Sequence, residues 1–495
     1  MSREFDVVVV GAGNAAMCAA LAAAENGARV GVLECAPEEE SAGNTRFTAG
    51  GIRFAYDGVD DLKEIMPDLT EQEIETTDFG SYSTDQFYDD MFRVTQYRTD
   101  PELCEQLVMQ SNATMKWMQK KGIRFVPIYG RQTFKVDGKI RFWGGVTVES
   151  WGGGPGLADQ QLEIARKNGI EVRFGVRVLS LLYDGLKVDG VRVRHDGRIS
   201  EIKAGAVVLA CGGFEANSEW RARYLGVGWD SVRVRGTRFN TGDGIRMALD
   251  IGASPHGNWS GCHACEWDFN APEFGDLAVG DGFQKHSYQI GIMVNANGRR
   301  FVDEGADIRN YTYAKYGRII LQQPDQYAWQ VFDSKVIPLL RDEYRIKQVT
   351  KVTATTLEEL AEKMGIDAAG FLAEMEAYNK SVVTDRKFDM SIKDGRGTRN
   401  LDIPKSNWAN TVDEPPYEAY QVGCGITFTF GGLRIASKSA QVVDHDMKPI
   451  PGLYAAGELV GGIFYYNYPS GTGLMSGAVF GKIAGESAAE ATVSR

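Results

Sequence analysis

One pattern near the start of the chain constrains its fold more than any other. An apolar run over residues 5–10 leads directly into the glycine turn Gly-Ala-Gly-Asn-Ala-Ala at 11–16. An alanine-rich stretch continues to about residue 25, and a second apolar run over residues 28–33 ends at Glu34. This order of strand, glycine turn, helix, strand and acid predicts a βαβ unit that binds a dinucleotide.

The small and acidic residues of this unit each have a predicted role. Gly11 allows the tight turn, and Gly13 lets the backbone approach a pyrophosphate, whose charge the N-terminus of the helix favours. Asn14 and Ala15 begin that helix, so we expect them to contact the cofactor as well. Glu34 ends the second strand, where an acid can bind a ribose diol.

The bulk properties indicate a cytoplasmic enzyme. A length of 495 residues suggests roughly three domains of ordinary size. The formal charge of −12, without a lysine or arginine block, argues against nucleic acid and an anionic membrane surface as partners. We expect no signal peptide before the first strand and no membrane insertion, because no apolar run approaches the ~20 residues that a membrane helix needs. Seven cysteines are consistent with a reducing compartment.

The texture of the sequence changes twice along the chain. Residues 1–257 show the alternation of strands and helices typical of an α/β nucleotide-binding domain. Aromatic residues and amphipathic helices mark residues 258–428, including a capping box at Thr356-Leu357-Glu358-Glu359. The α/β pattern returns over residues 429–495, where a helix begins at about Leu474. We therefore predict an α/β protein in which a Rossmann-like domain is interrupted by an α+β cap, with the active site between the two lobes.

Five blocks in a characteristic order resemble one family. They are residues 11–34, 43–51, 210–213, 241–244 and 452–458, the last followed by further glycines. In these blocks the chain resembles the flavoprotein family of fumarate reductase and succinate dehydrogenase, over essentially its full length. The resemblance implies that the cofactor is FAD rather than NAD, and that the Rossmann-like domain is an FAD-binding domain.

The resemblance also implies which residues contact FAD. Asn44-Thr45 and Ala49-Gly50-Gly51 would line the pyrophosphate and flavin, Asp243 and Glu458 would hold polar parts of the cofactor, and the backbone at Val178 would meet the adenine. The full set beyond the first βαβ unit is Gly43, Asn44, Thr45, Ala49, Gly50, Gly51, Val178, Ala210, Cys211, Gly212, Asp243, Gly457, Glu458, Gly473 and Leu474. Two glycine-rich stretches, from Trp143 to Gly145 and from Trp151 to Gly156, resemble the flavin-side loop of the family.

The mode of attachment follows from the histidines. In succinate dehydrogenases a histidine near the position of Asn44 binds FAD covalently, whereas this chain has no histidine before His195. We therefore expect FAD to be bound non-covalently. A helix that starts near Gly473 and Leu474 would direct its positive end at the anionic part of the reduced flavin.

The catalytic positions depart from those of fumarate reductase. His263 matches the family histidine at the mouth of the cap, and Arg309 approximates the arginine that donates a proton. The family's Thr-Glu and arginine are replaced by Phe-Gln-Lys-His-Ser at 283–287, a further histidine is replaced near Phe428, and the final arginine is replaced near Tyr468. Plain fumarate reduction is therefore not expected.

Two subfamilies are more similar. Residues 236–240, 318–324 and 426–430 resemble FAD-dependent tricarballylate dehydrogenases, whereas Asn-Tyr-Pro-Ser-Gly at 467–471 resembles the Tyr-Pro-Gly stretch of ketosteroid dehydrogenases. In the latter, a tyrosine hydroxyl and a nearby backbone amide polarise a ketone while another tyrosine removes the α-proton. Both reactions remove a proton α to a carbonyl and pass the β-hydride to flavin N5.

Three tyrosines are candidate catalytic groups. Tyr468 is the candidate oxyanion donor, because glycine-rich turns present donors to developing charge. Tyr311 and Tyr313 are candidate bases, and a tyrosine needs a neighbouring cation such as Arg309 or Lys315 to lower its ordinary pKa of about 10. Each of these tyrosines could instead be a packing residue.

Arg309 and His263 also have alternative interpretations. Arg309 could bind a substrate carboxylate through two hydrogen bonds, or it could pair with one of three nearby acids, Asp303, Glu304 or Asp307. His263 lies between Cys262 and Cys265, but no further ligand cluster is visible, so we predict no metal site and place His263 in the substrate pocket.

The sequence as a whole predicts an FAD-dependent dehydrogenase that forms or reduces a C=C bond next to a carbonyl. A tricarballylate-type carboxylic acid is the first expected substrate, and a cyclic ketone is the alternative. A flavoprotein in which FAD serves binding or partner recognition, as in tRNA-modifying flavoproteins, is the rival class. The expected partners are a small-molecule substrate and an unidentified electron acceptor, either a membrane electron-transfer protein or a small oxidant.

Overall fold

The computed structural model describes residues 3–142 and 145–493. Trp143 and Gly144, the start of the first glycine-rich stretch mentioned above, lie outside the described residues. Across the described ranges, the helices are all too short or too polar to cross a lipid bilayer.

The chain divides into two compact units. The first unit consists of Met1–Asp230, Gly236–His263 and Thr427–Arg495. The second unit consists of Ser231–Arg235 and Ala264–Ile426. The sequence predicts domain boundaries at 257/258 and 428/429. It does not predict that the short segment Ser231–Arg235 belongs to the second unit.

Helices and strands occur in both units, as a mixed α/β fold requires. The helices are α1 (Asn14–Glu25), α2 (Val59–Ile65), α3 (Glu71–Thr76), α4 (Thr84–Val94), α5 (Pro101–Lys120), α6 (Tyr129–Gln132), α7 (Gly153–Lys167), α8 (Ser218–Trp220), α9 (Asp243–Leu249), α10 (Tyr313–Leu321), α11 (Leu357–Met364), α12 (Ala368–Ser381) and α13 (Thr472–Val493). The strands are β1 (Phe5–Val10), β2 (Val30–Leu33), β3 (Gly51–Ile52), β4 (Thr77–Asp78), β5 (Phe125–Pro127), β6 (Thr133–Val136), β7 (Lys139–Phe142), β8 (Val148–Ser150), β9 (Glu171–Arg173), β10 (Arg177–Tyr183), β11 (Val188–His195), β12 (Arg198–Leu209), β13 (Arg233–Val234), β14 (Pro255–Asp268), β15 (Ile292–Val294), β16 (Ala328–Phe332), β17 (Lys351–Ala354), β18 (Tyr417–Leu433), β19 (Gln441–Val443) and β20 (Pro449–Ala455).

The main sheet of the first unit runs in the order β10-β11-β12-β1-β2-β9, with β20 also paired to β12. Strands β12, β1, β2 and β9 are parallel, whereas β10, β11 and β12 are antiparallel. The residues Val7–Val9 of β1 are fully buried. A parallel strand covered on both faces is apolar throughout, and this explains the unbroken valine run in β1.

Helices α1 and α13 pack through very small residues. A Cβ added at Gly481 would lie 2.4 Å from the Ala15 carbonyl oxygen, and one at Gly485 would lie 2.1 Å from that of Ala19. Larger side chains would hold the two helices apart. Because residues further along α13 meet residues further along α1, the helices run side by side in the same direction and their N-termini lie at the same end of the sheet.

The second unit is built on a sheet in which β13, β18, β16 and β15 follow in order. Strand β18 pairs in parallel with β13 at Arg233 and Val234, which attaches the segment Ser231–Arg235 to this unit. Strands β16 and β17 both pair with β18 in antiparallel fashion. Helices α11 and α12 cover the sheet with a buried cluster that includes Leu360, Phe371 and Met375.

The two predicted helix starts, at Asp100 and at Thr356, have different outcomes in the structure. Helix α5 begins as predicted, with Pro101 in its first turn and Asp100 accepting hydrogen bonds from the backbone of Glu102 and Leu103. The capping box at Thr356 is wrong in one detail: Thr356 accepts from the Glu359 backbone, but the Glu359 carboxylate accepts from Thr355 instead of returning to Thr356.

Candidate functional site

The glycine turn after β1 contains two glycines with different requirements. Gly11 has a φ of +106°, and a Cβ there would lie 2.4 Å from the Ala210 carbonyl oxygen, so the fold itself demands glycine. A Cβ at Gly13 would make ordinary contacts at 3.5 Å with Ala42 and Thr45. The protein therefore tolerates a methyl group at Gly13, and the space above it is available to a cofactor.

The N-terminus of α1 has polar groups arranged around it. Gly13 provides no side-chain cap, and the Asn14 amide donates to Thr45 Oγ1 at 3.0 Å. Asn14 Nδ2 donates to the Leu474 carbonyl at 2.8 Å, in the first turn of α13. Gly457, with a φ of +82°, packs against Ala15. Four separate sequence blocks thus meet at one point, where two helix N-termini favour a negatively charged group.

Glu34 lies at the end of β2, as its predicted role requires. It is buried, and its Oε1 accepts from the Ala36 amide at 2.8 Å. Burial raises the pKa of this carboxyl above its ordinary value, although hydrogen bonds from Ala36, Cys35 and Ala12 oppose the shift. An ionised carboxyl has about four acceptor positions, so Glu34 retains capacity to accept from ribose hydroxyls.

Near the predicted adenine site, one of the predicted cofactor residues is paired with another side chain of the protein. Val178 is buried in β10, and its neighbour Arg177 forms an ion pair with Asp243 at the start of α9. Cys211 lies against Gly244 in the same helix, where an added Cβ would come within 2.4 Å of its sulfur. The role of Asp243 in holding the cofactor stays a prediction, because the structure engages its carboxylate with Arg177.

The segment between Gly43 and Gly51 packs against the start of α7. Gly43 opens a 3₁₀ turn, Gly43–Phe47, and has a φ of +52°. Gly50 has a φ of +73°, and an added Cβ would lie 2.6 Å from the carbonyl carbon of Gly153. Ala49 contacts the same glycine through its carbonyl group. These close approaches require small residues in both segments.

A buried carboxyl that the sequence analysis missed lies beside Asn44. Glu215 Oε1 accepts from Asn44 Nδ2 at 2.7 Å and from Asn240 Nδ2 at 2.6 Å. Asn44 Nδ2 also donates to the Thr427 carbonyl at 2.6 Å. The signal available in the sequence was proximity, because Glu215 lies two residues after the block that ends at Gly213.

Glu215 forms an acid pair with Glu458. Burial raises the pKa of Glu215 well above its ordinary value, and the charge of Glu458 raises it further. Burial also raises the pKa of Glu458, whose Oε1 accepts from the Thr429 amide at 2.8 Å. Two neighbouring carboxyls out of water repel each other when both are ionised, so each favours the protonated form of the other.

Tyr468 lies in an aromatic enclosure in the first unit. Its ring is 5.2 Å from each of the rings of Phe428, Phe464 and His263, and its side chain is buried. The Gly473 amide donates to the Tyr468 hydroxyl at 3.3 Å. Gly473 is the second residue of α13, so the hydroxyl lies at a positive helix end, which favours negative charge on a nearby oxygen.

The other catalytic candidates belong to the second unit. Arg309 and Tyr311 form the 3₁₀ turn Arg309–Tyr311, and Tyr313 begins α10. Arg309 Nη1 lies 3.4 Å from His286 Nδ1, and the His286 ring meets the Tyr313 ring edge-on at 4.9 Å. All four side chains are buried. The structure thus brings Arg309 and Tyr313 together through His286, which lies in the segment 283–287 that replaces the Thr-Glu and arginine of the resembled family.

A second missed carboxyl lies beside this cluster. Glu266 is 0% exposed, and neither carboxyl oxygen has a hydrogen-bond partner among the described residues. Its Oε2 lies 3.9 Å from His286 Nε2. Burial raises the pKa of Glu266 well above its ordinary value, and the charge of Arg309 only partly opposes this shift. Burial thus favours the protonated form of Glu266, next to the histidine that contacts Arg309.

Arg235 is a third residue that the sequence analysis did not select. It is buried and forms an ion pair with Asp281 at 2.7 Å. Burial disfavours its charged form, but Asp281, Cys265 and Tyr313 raise its pKa above the ordinary value. Arg235 and Tyr313 therefore interact electrostatically within the second unit.

The three acids that were alternative partners for Arg309 have other contacts. Glu304 accepts from Arg300 at 2.6 Å, Asp303 accepts from the Ser406 backbone at 2.9 Å, and Asp307 lies 3.5 Å from Lys393.

Fold and site together define a class. Close backbone approaches, two convergent helix N-termini and a buried acid after β2 are the features of an α/β protein that binds a dinucleotide with its pyrophosphate at the helix ends.

The chain belongs to the FAD-binding-domain family, whose model matches residues 6–474. It is 31% identical to a probable fumarate reductase, Ifc3, of Shewanella frigidimarina, over 99% of this chain and 75% of that protein. The cofactor is therefore FAD, and the protein is an FAD-dependent oxidoreductase that acts on carbon–carbon bonds of a small-molecule substrate. The expected family and the expected cofactor are confirmed.

Solved structures agree with this assignment. A flavocytochrome c3 fumarate reductase in an open conformation is 28% identical with a TM-score of 0.73, over 99% of this chain and 79% of that chain. A 3-ketosteroid Δ1-dehydrogenase from Sterolibacterium denitrificans has the same TM-score of 0.73, over 99% of this chain and 100% of that chain. Its identity is 20%, so this second likeness concerns the fold alone.

Proposed function

We propose that the protein interconverts a saturated carboxylic acid and its α,β-alkene, with a tricarballylate-type acid as substrate. In the dehydrogenation direction, two C–H bonds of the substrate break and one C=C bond forms. The α-carbon loses a proton to the protein, and the β-carbon loses a hydride. Bound FAD supplies the two-electron acceptor at its N5 atom.

The first unit fits FAD in its chemistry. Gly13, Asn14 and Thr45 would hold the pyrophosphate at the N-terminus of α1, and Glu34 would accept from the ribose. The N-terminus of α13, at Gly473 and Leu474, would lie near the negative part of the flavin. We propose that the attachment is non-covalent, because the first histidine of the chain is His195.

Arg309 and His286 are the observation that carries the carboxylic-acid proposal. A guanidinium can bind a carboxylate through two parallel hydrogen bonds, and burial makes such a contact stronger than in water. Arg309 is buried with His286 Nδ1 at 3.4 Å, so the site offers both a fixed charge and a second polar group. This matches the resemblance to tricarballylate dehydrogenases and the reductase name of the relative in Shewanella frigidimarina.

Tyr313 is the proposed base for the α-proton. Its ring meets the His286 ring edge-on at 4.9 Å, and the buried Arg235 charge interacts with it electrostatically. Tyr311 is the second candidate for the same role. On the carbonyl side, the Tyr468 hydroxyl at the N-terminus of α13 would stabilise negative charge on the substrate oxygen as the α-proton leaves.

A cyclic ketone is the second candidate substrate, and the surroundings of Tyr468 favour it. Three aromatic rings, Phe428, Phe464 and His263, surround the Tyr468 ring, and these surroundings suit an apolar ring system better than a polycarboxylate. In this version the Tyr468 hydroxyl polarises the ketone and Arg309 has no direct role in binding.

One experiment separates the two substrates. The holoenzyme is mixed anaerobically with tricarboxylic acids and with cyclic ketones, and flavin bleaching is followed. For an acid substrate, Arg309→Met should raise KM roughly 10- to 100-fold, the scale of a charge-assisted hydrogen bond worth about 1.5–3 kcal/mol. The matched control is Arg318→Met in the last turn of α10, which should leave KM unchanged. Bleaching by ketones alone, with an unaltered KM in Arg309→Met, would reject the acid.

A further inference from the structure

Arg53 is a buried cation that the proposed chemistry does not use. It follows β3 directly and is 0% exposed. Removing a guanidinium from water costs several kcal/mol unless hydrogen bonds and a counter-ion compensate. Its contacts therefore indicate which part of the structure requires a fixed charge at this position.

Arg53 is bonded at two points to the turn that carries Tyr468, which we call the Tyr468 turn (residues 467–471). Its Nε donates to the Ser470 carbonyl at 2.8 Å, and its backbone amide donates to the Gly471 carbonyl at 3.1 Å. Gly471 has a φ of +81°, and an added Cβ would lie 2.9 Å from the Arg53 backbone nitrogen. Side chain and backbone of one residue thus hold two successive carbonyls.

The other side of the guanidinium is anchored by Asp90 in α4 and by Tyr82, which lies just before that helix. Arg53 Nη1 donates to the Tyr82 hydroxyl at 2.7 Å and lies 3.3 Å from Asp90 Oδ2. The Tyr82 hydroxyl donates to the same Asp90 oxygen at 2.6 Å. Asp90 compensates the charge, and Tyr82 fixes the distance between the two groups. The guanidinium therefore cannot rotate away from Ser470 without breaking its contacts with this pair.

We propose that Arg53 is a positioning residue that fixes the Tyr468 hydroxyl at the N-terminus of α13. Tyr468 lies two residues before Ser470, and α13 begins at Thr472, one residue after Gly471. The turn that joins them has to hold the hydroxyl 3.3 Å from the Gly473 amide. Arg53 sets this geometry by immobilising the Ser470 and Gly471 carbonyls, and Tyr82 with Asp90 immobilises Arg53. The inference rests on the proposed role of Tyr468 in stabilising the substrate oxygen.

The first test measures the turn itself and does not depend on the reaction. Arg53→Lys keeps the charge but cannot reach Ser470 and Tyr82 together. Hydrogen exchange of backbone amides over residues 467–473 of the holoenzyme should become roughly tenfold faster or more, the scale of losing a hydrogen bond to a charged group. The matched control is Arg93→Lys, because Arg93 donates to the other oxygen of Asp90 at 3.1 Å. Exchange in that control should be unchanged.

The second test is a kinetic double-mutant cycle. Flavin reduction is measured in Arg53→Lys, Tyr468→Phe and the double variant. If Arg53 acts through Tyr468, the double variant should be no slower than the slower single variant. Additive losses would overturn the proposal, and so would unchanged exchange in the Tyr468 turn.

Two further measurements distinguish a failure of one variant, or of the proposed role of Tyr468, from a failure of Arg53 to anchor the Tyr468 turn. If Arg53→Lys does not fold, Tyr82→Phe replaces it, since it removes the hydroxyl between Arg53 and Asp90 and leaves both charges. If Tyr468→Phe alone has no effect on flavin reduction, the oxyanion role in the proposed function fails, and the positioning proposal fails with it. Faster exchange in the turn would then still show that Arg53 anchors residues 467–473.

Discussion

Tyr468 is the single side chain on which most of the proposed chemistry depends. Tyr468→Phe removes the hydroxyl and retains the ring between Phe428 and Phe464, so packing should be conserved. We expect flavin reduction by substrate to slow by about 10²-fold or more, the effect of losing one oxyanion donor. Stopped-flow measurement of flavin absorbance gives this rate, and the FAD content should equal that of the wild type. An unchanged single-turnover rate would remove the hydroxyl from the mechanism.

Glu266 allows a prediction about pH at the same scale. Its pKa is raised in the folded protein, so between its unfolded pKa of about 4.3 and its higher folded pKa the folded state binds more protons. Wild-type stability from this group therefore falls as pH rises through that window. The Glu266→Gln variant has no titratable group at this position and therefore does not lose stability in this way. The difference in Tm, variant minus wild type, should increase from pH 4 towards neutral pH.

Glu304 is the control for that experiment. It is equally buried, and burial raises its pKa, but the charges of Arg300 and Lys405 together with hydrogen bonds from Arg300 and the Met293 amide lower the net pKa below its ordinary value. Its contribution is thus present above its unfolded pKa and is lost as pH falls, so Glu304→Gln should be most destabilised at neutral pH. Equal pH trends in the two variants would contradict the raised pKa of Glu266. The kinetics of Glu266→Gln also show whether a titratable group at this position is needed near Arg309.

At the scale of elements, the turn between β1 and α1 is the clearest case. Gly11→Ala should prevent folding or greatly destabilise the protein, because the added methyl would lie 2.4 Å from the Ala210 oxygen at a φ of +106°. Gly13→Ala should fold, because its methyl meets only atoms at 3.5 Å, but it should bind FAD more weakly. Thermal unfolding of the apoproteins and FAD titration measure the two effects separately. A folded Gly13→Ala protein with wild-type FAD affinity would place the pyrophosphate elsewhere.

At the scale of the whole molecule, we expect denaturation of the protein to release unmodified FAD, because the attachment is predicted to be non-covalent. With no histidine before His195, the first unit lacks the usual attachment residue near Asn44. Acid precipitation of the purified holoenzyme should therefore leave all flavin absorbance in the supernatant. Yellow colour that remains with the washed pellet would show a covalent bond and would contradict the prediction.

Much of the fold could be predicted because local sequence decides it. The valine run of β1, the glycine turn and the small residues of α1 each favour one structure whatever surrounds them, and Asp100 with Pro101 marked the start of α5. The capping box at Thr356 differs because Thr355 competes for the Glu359 carboxylate, and sequence spacing alone does not distinguish the two donors. Strand β13 is two residues long and is defined by its pairing with β18, so no local pattern could reveal it.

The candidate site likewise has one part that the sequence predicts and another that only the tertiary structure reveals. The sequence by itself determined the cofactor and the family, and it predicts which residues contact FAD, because tight turns and close backbone approaches allow only glycine at fixed spacings. Only the tertiary structure decided which buried charges meet: Glu215 with Glu458, Glu266 with His286, and Arg53 with the Tyr468 turn. These partners are far apart in sequence, and the pKa and position of a buried group depend on neighbours that folding brings together.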